Sequence, residues 1–426
     1  MNSTDPRYAA YTRILHDELK TALGCTEPIA VAYACALARK TLGALPERVE
    51  LSVSGNIIKN VKSVVVPNTG GRRGLETAAA AGVTAADPDA RLECLSRLTP
   101  SDGEAIGAYL ARDCVRVRPL DTDRAFEILA EVFSGGDSAK VRIVDQHTNV
   151  VHVSRNGAVL AEQAVPAAAE ESPDQRLLTV EGILDYADSV ELDDIRQPIA
   201  RQIQLNTAIA EEGLRGRYGA MIGRDSLPLL GDGLRARLRA LAAAGSDARM
   251  SGCELPVVIV SGSGNQGITA SVPVAVYAQE LGVSHEKLLR AVVLSDLLTI
   301  HMKTGIGRLS AYCGAVSAGC AAGPAVAYLH GGGRREVGHT LVNALATISG
   351  MICDGAKPSC AAKIAAAVDA GVLGYHMFRS GQQFRGGEGI VTKGVEETIA
   401  NIGRLGRFGM RETDREIIRI MTDCRS

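Results

Sequence analysis

Four cysteines in the second half of the chain are spaced in a way that could hold a metal centre. Cys313 and Cys320 enclose a glycine-containing stretch, and Cys353 and Cys360 enclose Asp-Gly-Ala-Lys-Pro-Ser. Iron-sulfur clusters need soft thiolate ligands, and short loops with glycine let the backbone approach a bulky cluster. Two other interpretations stay open. The thiols could be small buried side chains of a helical core, or zinc ligands, although neither pair has the close spacing common in structural zinc sites.

A glycine-rich run directly after the apolar, strand-like stretch 255–260 is the second candidate. Such a loop exposes backbone donors and suits a carboxylate or phosphate when a helix follows. It also resembles the loop that holds the substrate carboxylate in pyridoxal-phosphate β-eliminating enzymes. Those enzymes need a lysine shortly upstream, and this chain has none between Lys140 and Lys287, which argues against pyridoxal chemistry. The residues of the run are Ser261, Gly262, Ser263, Gly264, Asn265, Gln266 and Gly267.

Cys25 lies where one predicted helix stops and another starts. Residues 9–43 have a helical pattern that is interrupted at Gly24-Cys25-Thr26-Glu27-Pro28, because Pro28 suits the first turn of a new helix. The sequence therefore predicts Cys25 at or just before a helix N-terminus. The helix dipole there would stabilise the thiolate and lower the pKa of the thiol.

Two further stretches concentrate polar groups beside glycines. One contains Asn56 and leads into a turn with Asn68, and the other starts at Ser295-Asp296 and contains Lys303. Turn formation and a solvated helix end explain them without any function. The alternative is that their side chains bind a substrate.

The elements that must position these residues indicate an α+β protein. Period-two alternation near 49–54, 140–145 and 149–160 predicts strands, the last with an Asn-Gly hairpin turn. Beyond the linker-like stretch 166–175 the pattern is mostly helical. We expect an N-terminal helical segment with Cys25 (1–45) and a small α+β domain (46–165). We expect this small N-terminal α/β portion to pack on a large, mostly helical iron-sulfur catalytic domain (176–426).

Composition excludes several classes of protein. A chain of 426 residues with 46% hydrophobic content can bury a large core, and its net charge of −2 without a Lys/Arg block argues against nucleic-acid binding. The N-terminus lacks a signal-peptide profile, and polar residues interrupt the longest apolar region, 255–283. The expectation is a soluble cytoplasmic protein, without membrane partner, whose ten cysteines stay reduced. A small molecule is the expected partner, and a homo-oligomer is left open.

Five blocks carry a resemblance to a known family: 22–28 (Ala-Leu-Gly-Cys-Thr-Glu-Pro), 261–267, 301–319, 353–360 and 406–421. Together they are similar to the L-cysteine desulfidase family, which is related to the α region of iron-sulfur L-serine dehydratases. The match extends from the first helix almost to the C-terminus.

The resemblance implies a 4Fe-4S cluster held by Cys313, Cys353 and Cys360, with one iron left open. It also implies that Cys25 is the catalytic proton acceptor. We expect the run 261–266 to bind the substrate carboxylate, with Asn56, Asn68 and Lys303 contributing to substrate binding. Cys424 departs from the desulfidase pattern, since related serine dehydratases use a C-terminal cysteine to cap the open iron.

The implied activity is a carbon-sulfur lyase reaction that converts L-cysteine to pyruvate, ammonia and sulfide without pyridoxal phosphate. Iron-sulfur L-serine dehydration on the same cluster is the alternative within the enzyme class. An alternative of another class is a non-catalytic iron-sulfur or cysteine-sensing module.

Overall fold

A computed structural model of the chain describes residues 1–2, 4–122, 124–165, 172–307 and 309–423. Helices dominate these ranges. In chain order they are α1 (Pro6–Glu18), α2 (Thr26–Leu42), α3 (Gly55–Val61), α4 (Gly74–Thr84), α5 (Pro100–Leu110), α6 (Val180–Ser189), α7 (Leu192–Arg215), α8 (Leu234–Met250), α9 (Gly264–Leu281), α10 (His285–Ile306), α11 (Gly314–Leu329), α12 (Arg334–Ile348), α13 (Cys360–Arg379), α14 (Val395–Arg404) and α15 (Arg411–Asp423). A π-helical segment, Leu405–Gly409, joins α14 to α15.

The strands form one six-stranded sheet and one two-stranded ribbon. They are β1 (Thr21–Leu23), β2 (Arg48–Val53), β3 (Val115–Pro119), β4 (Glu127–Ser134), β5 (Asp137–Val144), β6 (Val150–Arg155), β7 (Ala158–Glu162) and β8 (Pro256–Val258). The sheet order is β3-β2-β4-β5-β6-β7, with only the β2–β3 pair parallel. The ribbon pairs β1 with β8 antiparallel.

Alternating side chains explain the sheet. In β2, Val49, Leu51 and Val53 are buried while the residues between them are not, as expected for a strand with one face on a core. Helix α2 packs against β4 and β5 on one side and against α4 on the other. A Cβ at Gly82 of α4 would lie 2.4 Å from the carbonyl oxygen of Ala32. Small residues therefore let the two helices approach closely.

The described residues form two large hydrophobic cores and a small third cluster around Ala243. One is built by α2 to β5, from Ile29 to Ile143, and the other by α1 together with residues from Leu178 to Ile417. The predicted α+β class, a small sheet-containing portion on a large helical one, is confirmed. The segment 1–45 contributes to both cores, and the boundaries drawn at 45, 165 and 176 stay predictions.

Two further sequence predictions concern membrane-spanning helices and the C-terminal Cys424. None of the helices in the described ranges combines the length and apolarity needed to cross a bilayer. Cys424, the candidate cap, lies outside the described residues, as do residues 166–171 of the predicted linker.

Candidate active site

The β1–β8 ribbon pairs the two short strands that precede Cys25 and the glycine-rich run. Thr21 pairs with Val258, and the amide of Ile259 donates to the carbonyl of Lys20 over 2.9 Å. Cys25 follows β1 after Gly24, and the glycine-rich run follows β8 after Ile259 and Val260. Because the pairing is antiparallel, the two segments leave the ribbon at opposite ends, so the ribbon fixes their relative positions without placing them side by side.

Asn206 on α7 holds the glycine-rich run in place. Its side chain is fully buried, accepts from the amide of Val258 (2.8 Å) and donates to that residue's carbonyl (3.1 Å). The run then turns sharply, with Ser261 at φ 48°, a conformation that costs free energy for a residue with a side chain. Helix α9 starts at Gly264, after an N-cap Ser263 whose side chain makes no capping hydrogen bond.

The start of α9 presents free backbone donors. Among the described residues, the amides of Gly264, Asn265 and Gln266 have no hydrogen-bond acceptor. The helix dipole adds a partial positive charge at this end. The interpretation of the run as an anion cradle therefore fits its geometry.

Cys25 is the N-cap residue of α2, as the sequence predicted, and is 3% exposed. Its thiol donates to the Glu27 carboxylate over 3.0 Å, and Asn60 donates to the other oxygen of that carboxylate over 3.3 Å. Burial, with Glu27 adding to it, raises the pKa of Cys25 well above its ordinary value, while Arg249 acts in the opposite direction. The expectation that the helix dipole lowers this pKa is therefore wrong, because desolvation and a neighbouring carboxylate outweigh the dipole.

Arg249, in the last turn of α8, was missed by the sequence analysis. Its side chain is 4% exposed, and it donates to Asn265 Oδ1 over 3.3 Å. The only signal in the sequence was a charged residue at the end of an Ala-rich helix, which is ordinary for a helix C-terminus. Its burial against a loop fifteen residues downstream in the chain could not be foreseen.

Helix α3 links Cys25 to the cysteine-rich loop. Asn60 contacts Glu27, and the neighbouring Lys59 is 1% exposed and forms an ion pair with Asp414 at 2.6 Å. A Cβ at Gly355 would lie 2.0 Å from the carbonyl oxygen of Lys59, so only glycine fits there. The loop between Cys353 and Cys360 therefore lies directly on α3.

Asn56, a predicted substrate residue, lies on the same helix. It donates to Asp414 over 3.2 Å, and its Oδ1 is buried without a hydrogen-bond partner among the described residues. Lys59 and Asn60 belong to the same polar stretch of the sequence as Asn56, but they were not predicted as site residues. Asp414 was not predicted either, because its contacts depend on α15 returning to the N-terminal portion.

The three predicted ligand cysteines converge on one place. An antiparallel bridge between Tyr312 and Ile352 sets Cys313 beside Cys353, with the Cys353 amide donating to the carbonyl of Ala311 over 2.6 Å. Cys313 is the N-cap of α11, and Cys360 is the first residue of α13. Cys320, by contrast, is fully buried in the interior of α11.

The thiols lie within electrostatic range of one another. Burial raises the pKa of Cys313 to about 12, and the charges of Cys353 and Cys360 add to that effect. Burial likewise raises the pKa of Cys360, while Lys357 and Lys363 oppose it. Three soft donors, of which Cys313 and Cys360 lie at helix N-termini, together with two lysines suit an anionic iron-sulfur cluster. Within the described ranges no three His, Cys, Asp or Glu side chains are as close as the ligands of a single metal ion, but a cluster of several atoms needs wider spacing.

The glycine-rich run also reaches the cysteines. A Cβ at Gly314, next to Cys313, would lie 2.7 Å from the side-chain amide nitrogen (Nε2) of Gln266. Gln266 is buried, and its Oε1 has no hydrogen-bond partner among the described residues. The start of α9 therefore contacts Arg249 at Gly264, and its Gln266 side chain contacts Gly314 beside Cys313.

The two remaining predicted residues are placed less centrally. Asn68 is half-buried at φ 58° and donates to the carbonyl of Leu95 over 2.8 Å, which is a structural role in a turn. The preceding Pro67 packs against Gly24, so the turn still borders the Cys25 segment. Lys303 is buried near the end of α10.

Comparison with known proteins places the chain in a family. Residues 75–419 match the family described as serine dehydratase alpha chain. A UPF0597 protein from Desulfitobacterium hafniense is 54% identical over 422 residues, covering 99% of this chain and 98% of the relative. A UPF0597 protein from Treponema denticola is 44% identical, with 99% of each chain covered. The predicted relation to the α region of serine dehydratases is confirmed, and the chain belongs to the serine dehydratase alpha-chain family.

Proposed function

We propose that the protein is an iron-sulfur-dependent lyase that converts L-cysteine to pyruvate, ammonia and sulfide without pyridoxal phosphate. The observation that carries this proposal is a continuous site between the two cores. Arg249 lies within electrostatic range of Cys25 and donates to Asn265 at the start of α9, and the side chain of Gln266 lies against Gly314 beside Cys313. A second route runs from Glu27 through α3 to the loop of Cys353 and Cys360.

Each part of this site has a role in the proposal. Cys313, Cys353 and Cys360 would hold the cluster, and the free backbone amides at the start of α9 orient the substrate. When bound, a cluster with one iron free of protein ligands supplies a Lewis-acidic position that suits a thiol leaving group. Burial excludes water and strengthens every charge interaction around the substrate.

The proton chemistry belongs to the Cys25–Glu27 pair. Once ionised, the Cys25 thiolate removes the proton from Cα of the substrate, and the neighbouring Glu27 carboxylate positions the sulfur. The Cα–H and Cβ–S bonds break, a Cα=Cβ bond forms, and sulfide leaves. The resulting aminoacrylate tautomerises and is hydrolysed to pyruvate and ammonia, so no net oxidation or reduction is required.

Serine dehydration is the second candidate, and the family description favours it. In that reaction the β-hydroxyl leaves as water from the same site, and the proton steps are unchanged. The thiol of cysteine is a softer donor than a hydroxyl and matches an iron position better. We therefore rank cysteine first.

Anaerobic assays separate the candidates. Purified protein should contain about four irons per chain if the cluster is intact and should release equal amounts of pyruvate and sulfide from L-cysteine. Pyruvate formation from L-serine with higher kcat/KM than from L-cysteine would favour the dehydratase. Iron without turnover of either amino acid would favour the non-catalytic module.

A further inference from the structure

Arg249 is a buried charge without a counter-ion among the described residues. Its side chain is 4% exposed, its Nε has no hydrogen-bond partner, and no described carboxylate forms an ion pair with it. Its one described hydrogen bond goes to the neutral side chain of Asn265. Buried guanidinium groups are normally paired, because an isolated charge loses much of its hydration without compensation.

The guanidinium of Arg249 lies against a helix N-terminus. A Cβ at Gly264 would lie 2.3 Å from Nε, so the guanidinium lies directly against the first residue of α9. The free amides of Gly264, Asn265 and Gln266 belong to that same helix end. A guanidinium and a helix N-terminus repel each other unless an anion lies between them.

We propose that Arg249 binds the α-carboxylate of an amino-acid substrate, together with the amides at the start of α9. This inference rests on the proposed function, since it assigns the anchor for the substrate of that same site. A guanidinium offers two parallel N–H donors that match a carboxylate. Phosphate groups are larger, and the close packing of Gly264 on Nε favours the smaller planar anion.

The position of Arg249 also orients the substrate. Its charge favours the thiolate of Cys25, and its Nη1 donates to Asn265 at the start of α9. A carboxylate fixed between Arg249 and α9 directs Cα toward Cys25. The adjacent β-substituent is then free to extend toward Cys313, which lies beyond Gln266.

Ligand-induced thermal shifts test the anchor without requiring turnover. We would measure anaerobic melting temperatures with L-cysteine, L-serine, L-alanine and L-alaninamide, the last of which lacks the carboxylate. The wild type should be stabilised by the three carboxylates and not by the amide. Arg249→Met should lose all three shifts, whereas Arg237→Met, an exposed position on the same helix paired with Glu280, should keep them.

The unliganded variants distinguish anchoring from structural support. Removing an uncompensated buried charge should leave the melting temperature of Arg249→Met equal to or above that of the wild type. Gly264→Ala is a second variant that displaces the guanidinium without deleting it, and it should weaken the same ligand shifts. A stable Arg249→Met protein that retains its L-alanine shift overturns the proposal.

Kinetics and iron content complete the test. The KM for L-cysteine should rise roughly 30- to 1000-fold in Arg249→Met, the loss expected when one partner of a buried charge pair is removed, while iron content stays unchanged. Iron loss would mean that Arg249 serves the cluster, and this would overturn the proposal. If the wild type turns over neither amino acid but its carboxylate shifts still depend on Arg249, the anchor stands and the proposed function fails.

Discussion

The Cys25 thiol donates a hydrogen bond to the Glu27 carboxylate across 3.0 Å, and both side chains are buried. If this pair removes the Cα proton, Cys25→Ser should retain iron and lower turnover by a factor on the order of 100 or more, the usual scale for losing a general base. Cys35→Ala, in the same helix but within the N-terminal core, is the control and should keep full turnover. Near-normal turnover in Cys25→Ser would assign the base elsewhere.

The pH dependence of kcat/KM should follow the raised pKa of Cys25. Since the thiolate is the active form and burial raises the thiol's pKa, activity should fall as pH decreases and still be rising above about pH 8.5, the ordinary thiol value. Glu27→Gln removes a negative charge beside the thiol, so its profile should shift toward lower pH. A flat profile between pH 6 and 8 would show that the thiolate of the free enzyme is not the base.

The placement of Cys25 at the start of α2 was predictable because Pro28 is a local signal. Strand β1 was missed, since three residues carry little pattern and their partner β8 lies far along the chain. The pKa of Cys25 was misjudged because the dipole is a local effect, whereas burial depends on the whole fold. Arg249 was missed for the same reason, since its local sequence does not distinguish a buried guanidinium from a solvated one.

Measured iron content should show which cysteines are ligands of the cluster. Replacing Cys313, Cys353 or Cys360 with Ala should abolish the cluster and its visible absorption, because each removes a thiolate from the same group. Cys320→Ala should keep the cluster, since that thiol is buried within α11 away from its N-terminus. Full iron in Cys353→Ala, measured anaerobically, would refute the assignment.

The ion pair between Lys59 and Asp414 should stabilise the packing of α15 on α3. Lys59 is 1% exposed, so Asp414→Asn leaves a buried ammonium unpaired and should destabilise the docked helix by about 3–5 kcal/mol. Hydrogen exchange of the α15 amides measures this opening. The double variant Lys59→Met/Asp414→Asn should recover part of the loss, because it removes the unpaired charge as well.

A control on the same helix separates burial from charge. Arg415 and Glu412 form an exposed pair on α15, and surface pairs of this kind contribute about 0–1 kcal/mol. Arg415→Ala should therefore leave the exchange of α15 almost unchanged. Equal effects of Asp414→Asn and Arg415→Ala would mean that the buried pair does not hold the helix.

The buried carboxyl of Asp296 on α10 should make stability depend on pH. Burial raises its pKa to about 8, and the hydrogen bond donated by Gln202 over 2.9 Å only partly opposes this. The folded state thus keeps a proton that the unfolded state loses near pH 3.8. Stability therefore falls as pH rises between these two values, and it levels off once the folded carboxyl ionises.

Asp296→Asn should remove that pH dependence. The Oδ2 of Asp296 and the Oε1 of Gln202 are both buried without partners among the described residues. An asparagine amide at Oδ2 could donate to Gln202 while its oxygen still accepts. Relative to Asp296→Asn, the wild type should lose about 1.4 kcal/mol of unfolding free energy per pH unit between pH 5 and 7. Parallel stability curves over this range, measured by urea unfolding, would show that Asp296 is ionised in the folded protein.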